Sequence, residues 1–239
     1  RPSRSPPRTG ASSRMDPGYG EAAEPSAGGA GSVPPKPHDS ADAYLPGDRH
    51  QALVAGRPMA DRVHGGALFA DISGFTPLTE VLAAELGPHR GAEELTNHLN
   101  RVFQALIDEL YRFRGHVIYF SGDAITCWLD GDDGVRSTAC ALAMQRRMAD
   151  VGEVVTPAGV PVRLAMKVAV AVGAARRFSV GDPEIQRIDV LAGRLIDELA
   201  STEHLAARGE VLLGASAVAA LGERVDCADR RYDERTGGY

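Results

Sequence analysis

The sequence lacks several features that would assign it quickly to a class of protein. It has 3 cysteines among 239 residues, and Cys127, Cys140 and Cys227 are too far apart to form a CxxC motif. An odd count without a regular framework predicts reduced thiols in a cytoplasmic protein. No apolar run approaches the ~20 residues that cross a bilayer. No hydrophobic segment follows the N-terminal arginines, so neither a membrane span nor a signal peptide is predicted.

The chain also lacks a cluster of basic residues. Its net charge is −6, and the lysines and arginines form no block apart from the arginines scattered through the first fourteen positions. Nucleic-acid surfaces need clustered positive charge, so a nucleic-acid partner is not predicted. The length and the 44% hydrophobic content allow one well-buried domain with additional segments, but not two full domains.

The composition changes along the chain and divides it into four parts. Residues 1–42 are predicted to be a disordered tail, because 26 of the first 40 positions are Gly, Pro, Ser or Ala. Such a segment cannot bury enough apolar surface to offset the entropy lost on ordering. Residues 43–64 are predicted to be a lead-in with at most one short helix, and residues 65–225 a folded domain. Residues 226–239 are predicted to be a polar linker or a truncated tail.

From Gly65 onward, the hydrophobic periodicity predicts an alternation of strands and helices. The predicted strands are 67–70, 117–120, 124–128, 162–172 and 211–213. The predicted helices are one starting at 76, those at 93–113, 135–148 and 215–221, and one held within 188–207, before which a further strand is left open. Thr76 is predicted as an N-cap, Pro77 as the first helical residue and Gly115 as a C′ residue. This order predicts an α+β fold in which helices cover an antiparallel sheet.

One carboxylate, Asp71, stands at the end of an apolar strand. An ionised Asp in that position is costly unless it is paired or bound to a metal. The turn that follows, residues 73–76, directs free amide groups outward at a helix N-terminus, which attracts phosphate. A hard cation at Asp71 would bridge to phosphate oxygens. The alternative is that Asp71 caps the turn and binds nothing.

A second carboxylate and one lysine could join Asp71. Asp123 follows Gly122 in the turn of a predicted hairpin, where a solvated turn acid is the simpler interpretation for that residue alone. If the hairpin lies beside the first strand, the two acids meet and would repel unless metal ions bridge them. A two-metal site stabilises an in-line displacement at phosphorus. Lys167 interrupts the strand 162–172 and is either a solvent-facing lysine or a phosphate clamp.

Two segments carry a resemblance to a known family. Residues 69–76, FADISGFT, and residues 120–124, FSGDA, resemble the class III adenylyl/guanylyl cyclase catalytic domain, in particular the bicarbonate-responsive soluble type and the bacterial tandem cyclases. The resemblance spans about residues 65–221. It implies a ferredoxin-like βαββαβ core and identifies 65–225 as a nucleotide cyclase domain. The implied reaction converts ATP, or alternatively GTP, to the 3′,5′-cyclic nucleotide and pyrophosphate in intracellular signalling.

The resemblance also implies which residues form the site. Two Mg²⁺ or Mn²⁺ ions would be held by Asp71 and Asp123, with the Ile72 carbonyl as a further ligand. One ion would activate the ribose 3′-hydroxyl for attack on the α-phosphate, and the other would hold the triphosphate and help pyrophosphate leave. The implied phosphate-binding residues are Gly74, Phe75, Thr76 and Lys167.

The sequence departs from the family where the purine is read and the transition state is stabilised. The purine-reading lysine falls at Tyr119 and the purine-reading acid at Asp189, for which a structural role is an equal alternative. The family's asparagine and arginine fall at Ile196 and Ala200, which cannot orient ribose or stabilise charge. Family sites form between two domains, so a second cyclase domain in cis or trans is implied, with this chain as the metal-bearing half. The alternative is a catalytically degenerate domain with a regulatory, nucleotide-binding or dimerisation role.

Overall fold

The structure is a computed structural model that describes residues 45–232, which all belong to one unit of the fold. The predicted tail 1–42 and residues 233–239 lie outside the described part. The helices are α1 Gly47–Val54, α2 Phe75–Leu86, α3 Pro88–Arg112, α4 Val135–Val151, α5 Arg194–Leu205 and α6 Ala215–Leu221, followed by a 3₁₀ turn at Gly222–Arg224. The strands are β1 Arg62–Ser73, β2 His116–Ser121, β3 Ala124–Asp130, β4 Glu153–Val155, β5 Pro161–Arg163, β6 Ala165–Asp182, β7 Gln186–Ala192 and β8 Val211–Leu213.

The central sheet has the strand order β2-β3-β1-β6-β7. β1 is antiparallel to both β3 and β6, and β8 adds to β6 in parallel. Apart from the small β4–β5 hairpin, the chain order follows a split βαβ repeat, with β1, then α2 and α3, then β2, β3, α4 and β6. The predicted ferredoxin-like βαββαβ core, with an antiparallel sheet and flanking helices, is therefore confirmed.

Side chains alternate along β1 and give the sheet two different apolar faces. Leu68, Ala70 and Ile72 belong to the larger cluster, to which α2, α3 and α4 contribute. Phe69 packs against the smaller cluster, to which α5 contributes. Asp71 continues the Phe69 series, so its carboxylate leaves the sheet on the α5 side.

The start of α2 differs from the prediction. Its N-cap is Gly74 rather than Thr76, and Pro77 is the third helical residue rather than the first. Gly74 has a φ of 105°, and a Cβ there would lie 2.9 Å from the carbonyl oxygen of Arg163, so the turn requires glycine. Proline is tolerated at the third position because that amide has no acceptor within the helix.

The end of α3 also differs from the prediction, because Arg114 rather than Gly115 occupies the left-handed C′ position, with a φ of 57°. The Arg114 amide donates to the Tyr111 carbonyl at 2.9 Å, and the Gly115 amide donates to the Leu110 carbonyl at 2.9 Å. These two bonds form a Schellman motif, which satisfies the last carbonyls of the helix.

The segment 188–207 was predicted to hold a helix that starts near Asp189, and the helix is present but starts later. Residues up to Ala192 form β7, which pairs with the distal half of β6, and α5 begins only at Arg194. Gly193, with a φ of 120°, separates the two elements. β6 correspondingly continues to Asp182, well beyond the predicted end at 172, while β5 is a separate short strand paired with β4.

The three cysteines are free thiols, as predicted. Cys127 and Cys140 are buried, and burial raises the pKa of Cys140 to about 12. No helix among residues 45–232 is long and apolar enough to cross a membrane.

Candidate active site

The two carboxylates predicted to bind metal, Asp71 and Asp123, lie close together at the end of β1. Asp71 is in register with Ala124 of β3, and the Ile72 amide donates to the carbonyl of Asp123 at 3.2 Å. Asp123 is exposed in the hairpin turn, whereas the Asp71 side chain is 27% exposed. Burial is the largest influence on Asp71 and raises its pKa; Lys167 lowers it, and the negative charge of Asp123 raises it further. The fold thus brings the two acids within electrostatic reach of each other.

Lys167 joins this pair from the opposite neighbouring strand. It is in register with Asp71, and its Nζ lies 3.5 Å from the Asp71 Oδ2. A hydrogen bond to Glu203 is the first cause of the raised pKa of Lys167. Lys167 therefore does not simply face solvent, because its ammonium lies between the carboxylates of Asp71 and Glu203.

Glu203 of α5 belongs to the cluster and was not predicted from the sequence. Its Oε1 lies 2.5 Å from the Lys167 Nζ, a shorter contact than the one to Asp71. A signal for it was present, because Leu195, Leu199 and Glu203 recur at intervals of four along α5. The carboxylate continues the buried stripe of the helix and so points towards the sheet.

The N-terminus of α2 begins directly after the Asp71 strand. No side chain caps this helix. The amides of Phe75 and Thr76 fall in the first turn, where backbone donors have no partner within the helix. Phe75 is buried and Thr76 is exposed. Oriented donors of this kind, together with the helix dipole, form a common binding arrangement for phosphate.

The donor set near Asp71 consists of oxygen atoms. Among residues 45–232, no group of three or more His, Cys, Asp or Glu side chains has the arrangement of a metal site. Two adjacent carboxylates and a backbone carbonyl are nonetheless the donor type that Mg²⁺ and Mn²⁺ prefer, with substrate phosphates completing the shell. The chemistry of the donors therefore fits a hard divalent cation.

The two purine-reading candidates differ in their surroundings. Tyr119 on β2 is 42% exposed. Asp189 lies on β7 rather than at a helix start, and its side chain is fully buried. Its Oδ1 accepts from Arg49 at 2.7 Å, and its Oδ2 accepts from Arg177 at 2.6 Å. Although β2 and β7 approach each other, both Asp189 oxygens are already bound, which favours the structural alternative.

The two positions of the missing transition-state residues lie on α5. Ile196 packs against the smaller apolar cluster, and Ala200 is exposed. Neither residue brings a polar side chain to the site. A cavity of about 1090 Å³ lies elsewhere, between α5, α6 and residues 225–231, and neither Asp71 nor Asp123 lines it.

Comparison with solved structures identifies the fold. The adenylyl cyclase CyaB from P. aeruginosa superposes with a TM-score of 0.62 at 21% identity, covering 72% of this chain and 87% of that one. The guanylyl cyclase Cya2 superposes with a TM-score of 0.59 at 24% identity, covering 73% and 86%. This chain has the fold of a class III nucleotide cyclase domain. The resemblance inferred from the two sequence motifs is thereby confirmed.

Sequence comparison adds homologues of the cyclase domain. Adenylate cyclase type 10 of Oryctolagus cuniculus is 27% identical over 163 residues, which is 66% of this chain. The same enzyme of Homo sapiens is 39% identical over 69 residues, or 29% of this chain. The chain spans about a tenth or less of the length of these curated relatives. No protein-family model matches the chain.

Proposed function

We propose that this cyclase domain is the metal-bearing half of an adenylyl cyclase, which converts ATP to 3′,5′-cyclic AMP and pyrophosphate. The observation that carries the proposal is the meeting of Asp71 and Asp123 beside the uncapped N-terminus of α2. Homology to adenylate cyclase type 10 favours ATP over GTP as the substrate. In the reaction the ribose 3′-oxygen bonds to the α-phosphorus. The bond between the α-phosphorus and the oxygen that bridges it to the β-phosphorus breaks, so that this oxygen leaves with pyrophosphate, and the 3′-hydroxyl proton is lost to solvent.

Asp71 and Asp123 would hold Mg²⁺ or Mn²⁺, with the Ile72 carbonyl as a further ligand. The local charge supports this role, because two carboxylates, Asp71 and Glu203, flank the single ammonium of Lys167, and the charge of Asp123 also acts on Asp71. When bound, such ions lower the pKa of a coordinated hydroxyl and neutralise charge that develops on phosphate oxygens. At the end of β1, the role of the two carboxylates would be to hold these ions.

The chain's own residues would bind the triphosphate next to these carboxylates. The amides at Gly74, Phe75 and Thr76 point out of the first turn of α2, where the helix dipole favours negative charge. Lys167 would supply a positive charge to the phosphates from the adjacent strand. Because no side chain caps α2, phosphate oxygens can take the place that a cap would otherwise fill.

The purine and the transition state would be served mainly by a second cyclase domain. Tyr119 offers one hydroxyl and no charge, and Asp189 is held by two arginines. Ile196 and Ala200 offer no polar side chain at all. A partner domain that carries a lysine, an asparagine and an arginine at the corresponding positions would complete the site. A non-catalytic domain is not favoured, because both metal carboxylates are retained in one cluster.

The test supplies the missing residues from a second copy of the chain. This complementary chain carries Tyr119→Lys, Ile196→Asn and Ala200→Arg, together with Asp71→Asn to remove its own metal site. The complementary chain is mixed with the unmodified chain, and the formation of cyclic AMP from ATP is measured with Mn²⁺. Asp71→Asn or Asp123→Asn, introduced into the unmodified chain, is expected to lower the rate by about a hundredfold or more, since charge stabilisation at the phosphate is lost.

The matched control is Asp150→Asn, which removes an exposed carboxylate from α4 on the opposite side of the sheet. This control is expected to retain the full rate. Equal rates for Asp71→Asn and Asp150→Asn would overturn the proposed metal site.

A further inference from the structure

Lys167 lies between two carboxylates, and its distances to them are unequal. The Nζ is 2.5 Å from the Glu203 Oε1 and 3.5 Å from the Asp71 Oδ2. All three side chains are partly buried, with exposures of 23%, 18% and 27%. The ammonium is therefore held more closely by Glu203 of α5 than by the candidate metal ligand Asp71.

This asymmetry matters because a lysine and a divalent cation compete for the same carboxylate oxygens. Cross-strand neighbours on one face of a sheet are close enough to form a direct ion pair. Asp71 and Lys167 are such neighbours, and without another partner the ammonium would move onto Asp71. A tight Asp71–Lys167 pair would then have to be broken before a cation could bind.

Glu203 has the position needed to prevent that pair from closing. It lies one turn beyond Leu199 on α5, and the packing of Leu195 and Leu199 against the sheet fixes the helix above Lys167. Its second oxygen, Oε2, is 3.3 Å from the His204 Nδ1, so both carboxylate oxygens have partners. The carboxylate is thus supported by the helix that carries it.

We infer that Glu203 is a positioning residue that holds Lys167 away from Asp71 and so keeps Asp71 available for a divalent cation. The inference rests on the proposed function, because it assumes the metal role of Asp71. In the same position Lys167 remains charged and adjacent to the α2 N-terminus, where it can contact phosphate. Glu203 acts through Lys167 and contacts neither metal nor nucleotide itself.

The test measures binding of Mn²⁺ alone to the full 239-residue chain by electron paramagnetic resonance, at one fixed pH. Asp71→Asn is expected to weaken binding by more than about tenfold, the loss that removal of even an outer-shell partner can cause. Glu203→Gln is expected to weaken it by about fivefold, which corresponds to the closing of one partly exposed ion pair. Asp197→Asn, an exposed carboxylate on the same helix without contact to Lys167, is the matched control and should bind as the unmodified chain does.

A double-mutant cycle separates positioning from a simple charge effect. Lys167→Met should bind Mn²⁺ at least as tightly as the unmodified chain, because the competing ammonium is gone. Adding Glu203→Gln to Lys167→Met should then have no further effect. If Glu203→Gln weakens binding equally with and without Lys167, Glu203 acts by its charge alone and the inference is wrong.

The remaining outcomes distinguish this inference from the proposed function. If Asp71→Asn weakens binding but Glu203→Gln does not, the metal site stands and the positioning role fails. If Asp71→Asn has no effect, the metal site fails and the inference fails with it. Thermal melts check the fold of each variant. Glu203→Asp, which keeps the charge and shortens the reach, replaces Glu203→Gln if the latter does not fold, with weaker binding again expected.

Discussion

Asp71 and Asp189 are both carboxylates that the sequence singled out, and their surroundings in the folded chain differ. Asp71 has one lysine at 3.5 Å and remains partly exposed, so it has room for a ligand. Asp189 is fully buried between two arginines. The sequence could not predict this difference, because Arg49 is 140 positions away from Asp189 and reaches it only when α1 packs on the sheet.

Asp189→Asn is expected to destabilise the domain by about 3 kcal/mol, since it removes one of the two carboxylates that pair with the buried Arg177 and also the carboxylate that pairs with Arg49. The side chain of Arg177 is fully buried. Urea unfolding measures the change. Asp61→Asn is the matched control, because Asp61 pairs with the neighbouring Arg176 at an exposed position and should matter little. Equal losses in the two variants would contradict the structural role of Asp189.

The pH dependence of stability should reveal the contact of α1 with the sheet. Burial raises the pKa of Asp48, but the hydrogen bonds and positive charge of Arg177 outweigh it, and the pKa lies below its usual 3.8. A carboxyl with a depressed pKa stabilises the fold above its unfolded-state pKa, and that stabilisation is lost as the pH falls through the folded value. The unmodified chain should therefore be more stable than Asp48→Asn near pH 6, by urea unfolding.

Below pH 3.8 the difference in the free energy of unfolding between the unmodified chain and Asp48→Asn should become smaller, because Asp48 becomes protonated in the folded state. A difference that stayed constant from pH 6 to pH 3 would show that the ion pair with Arg177 contributes nothing.

At the scale of elements, local sequence patterns predict most of the helices and strands. The remaining elements depend on pairing between strands that are distant in sequence. The β2–β3 hairpin and the amphipathic α3 follow from periodicity and turn residues, so the meeting of Asp71 and Asp123 was foreseeable. The bounds of β7 could not be predicted because 188–192 is compatible with either a helix or a strand, and only the pairing with the distal half of β6 makes it a strand.

The end of α3 gives a prediction about a single element. Arg114 adopts a left-handed conformation that costs an ordinary residue about 1 kcal/mol and glycine little. Arg114→Gly should therefore raise the free energy of unfolding by up to about 1 kcal/mol, measured with urea. Arg112→Gly is the control of opposite sign, because Arg112 is the last helical residue of α3, where glycine is less favourable than arginine and where the ion pair with Glu109 would be lost. A loss of stability in both variants would contradict the Schellman geometry.

At the scale of the whole molecule, our proposal is that one chain supplies only part of a cyclase site. The candidate metal carboxylates lie close to the α2 N-terminus, but Tyr119, Ile196 and Ala200 differ from the lysine, asparagine and arginine that the resemblance implies at those positions. This division stays a prediction from the sequence motifs, in which each departure from the family falls at a single identifiable position.

The most direct test of the proposal that one chain supplies only the metal-bearing half of the site is the rate of cyclic AMP formation. The rate is compared between the mixture of unmodified and complementary chains and each chain alone. We expect cyclic AMP from the mixture with Mn²⁺ and ATP, and essentially none from either chain alone. Formation by the unmodified chain alone at the rate of the mixture would contradict the proposal. So would a mixture that forms the mixed dimer by native mass spectrometry but produces no cyclic AMP.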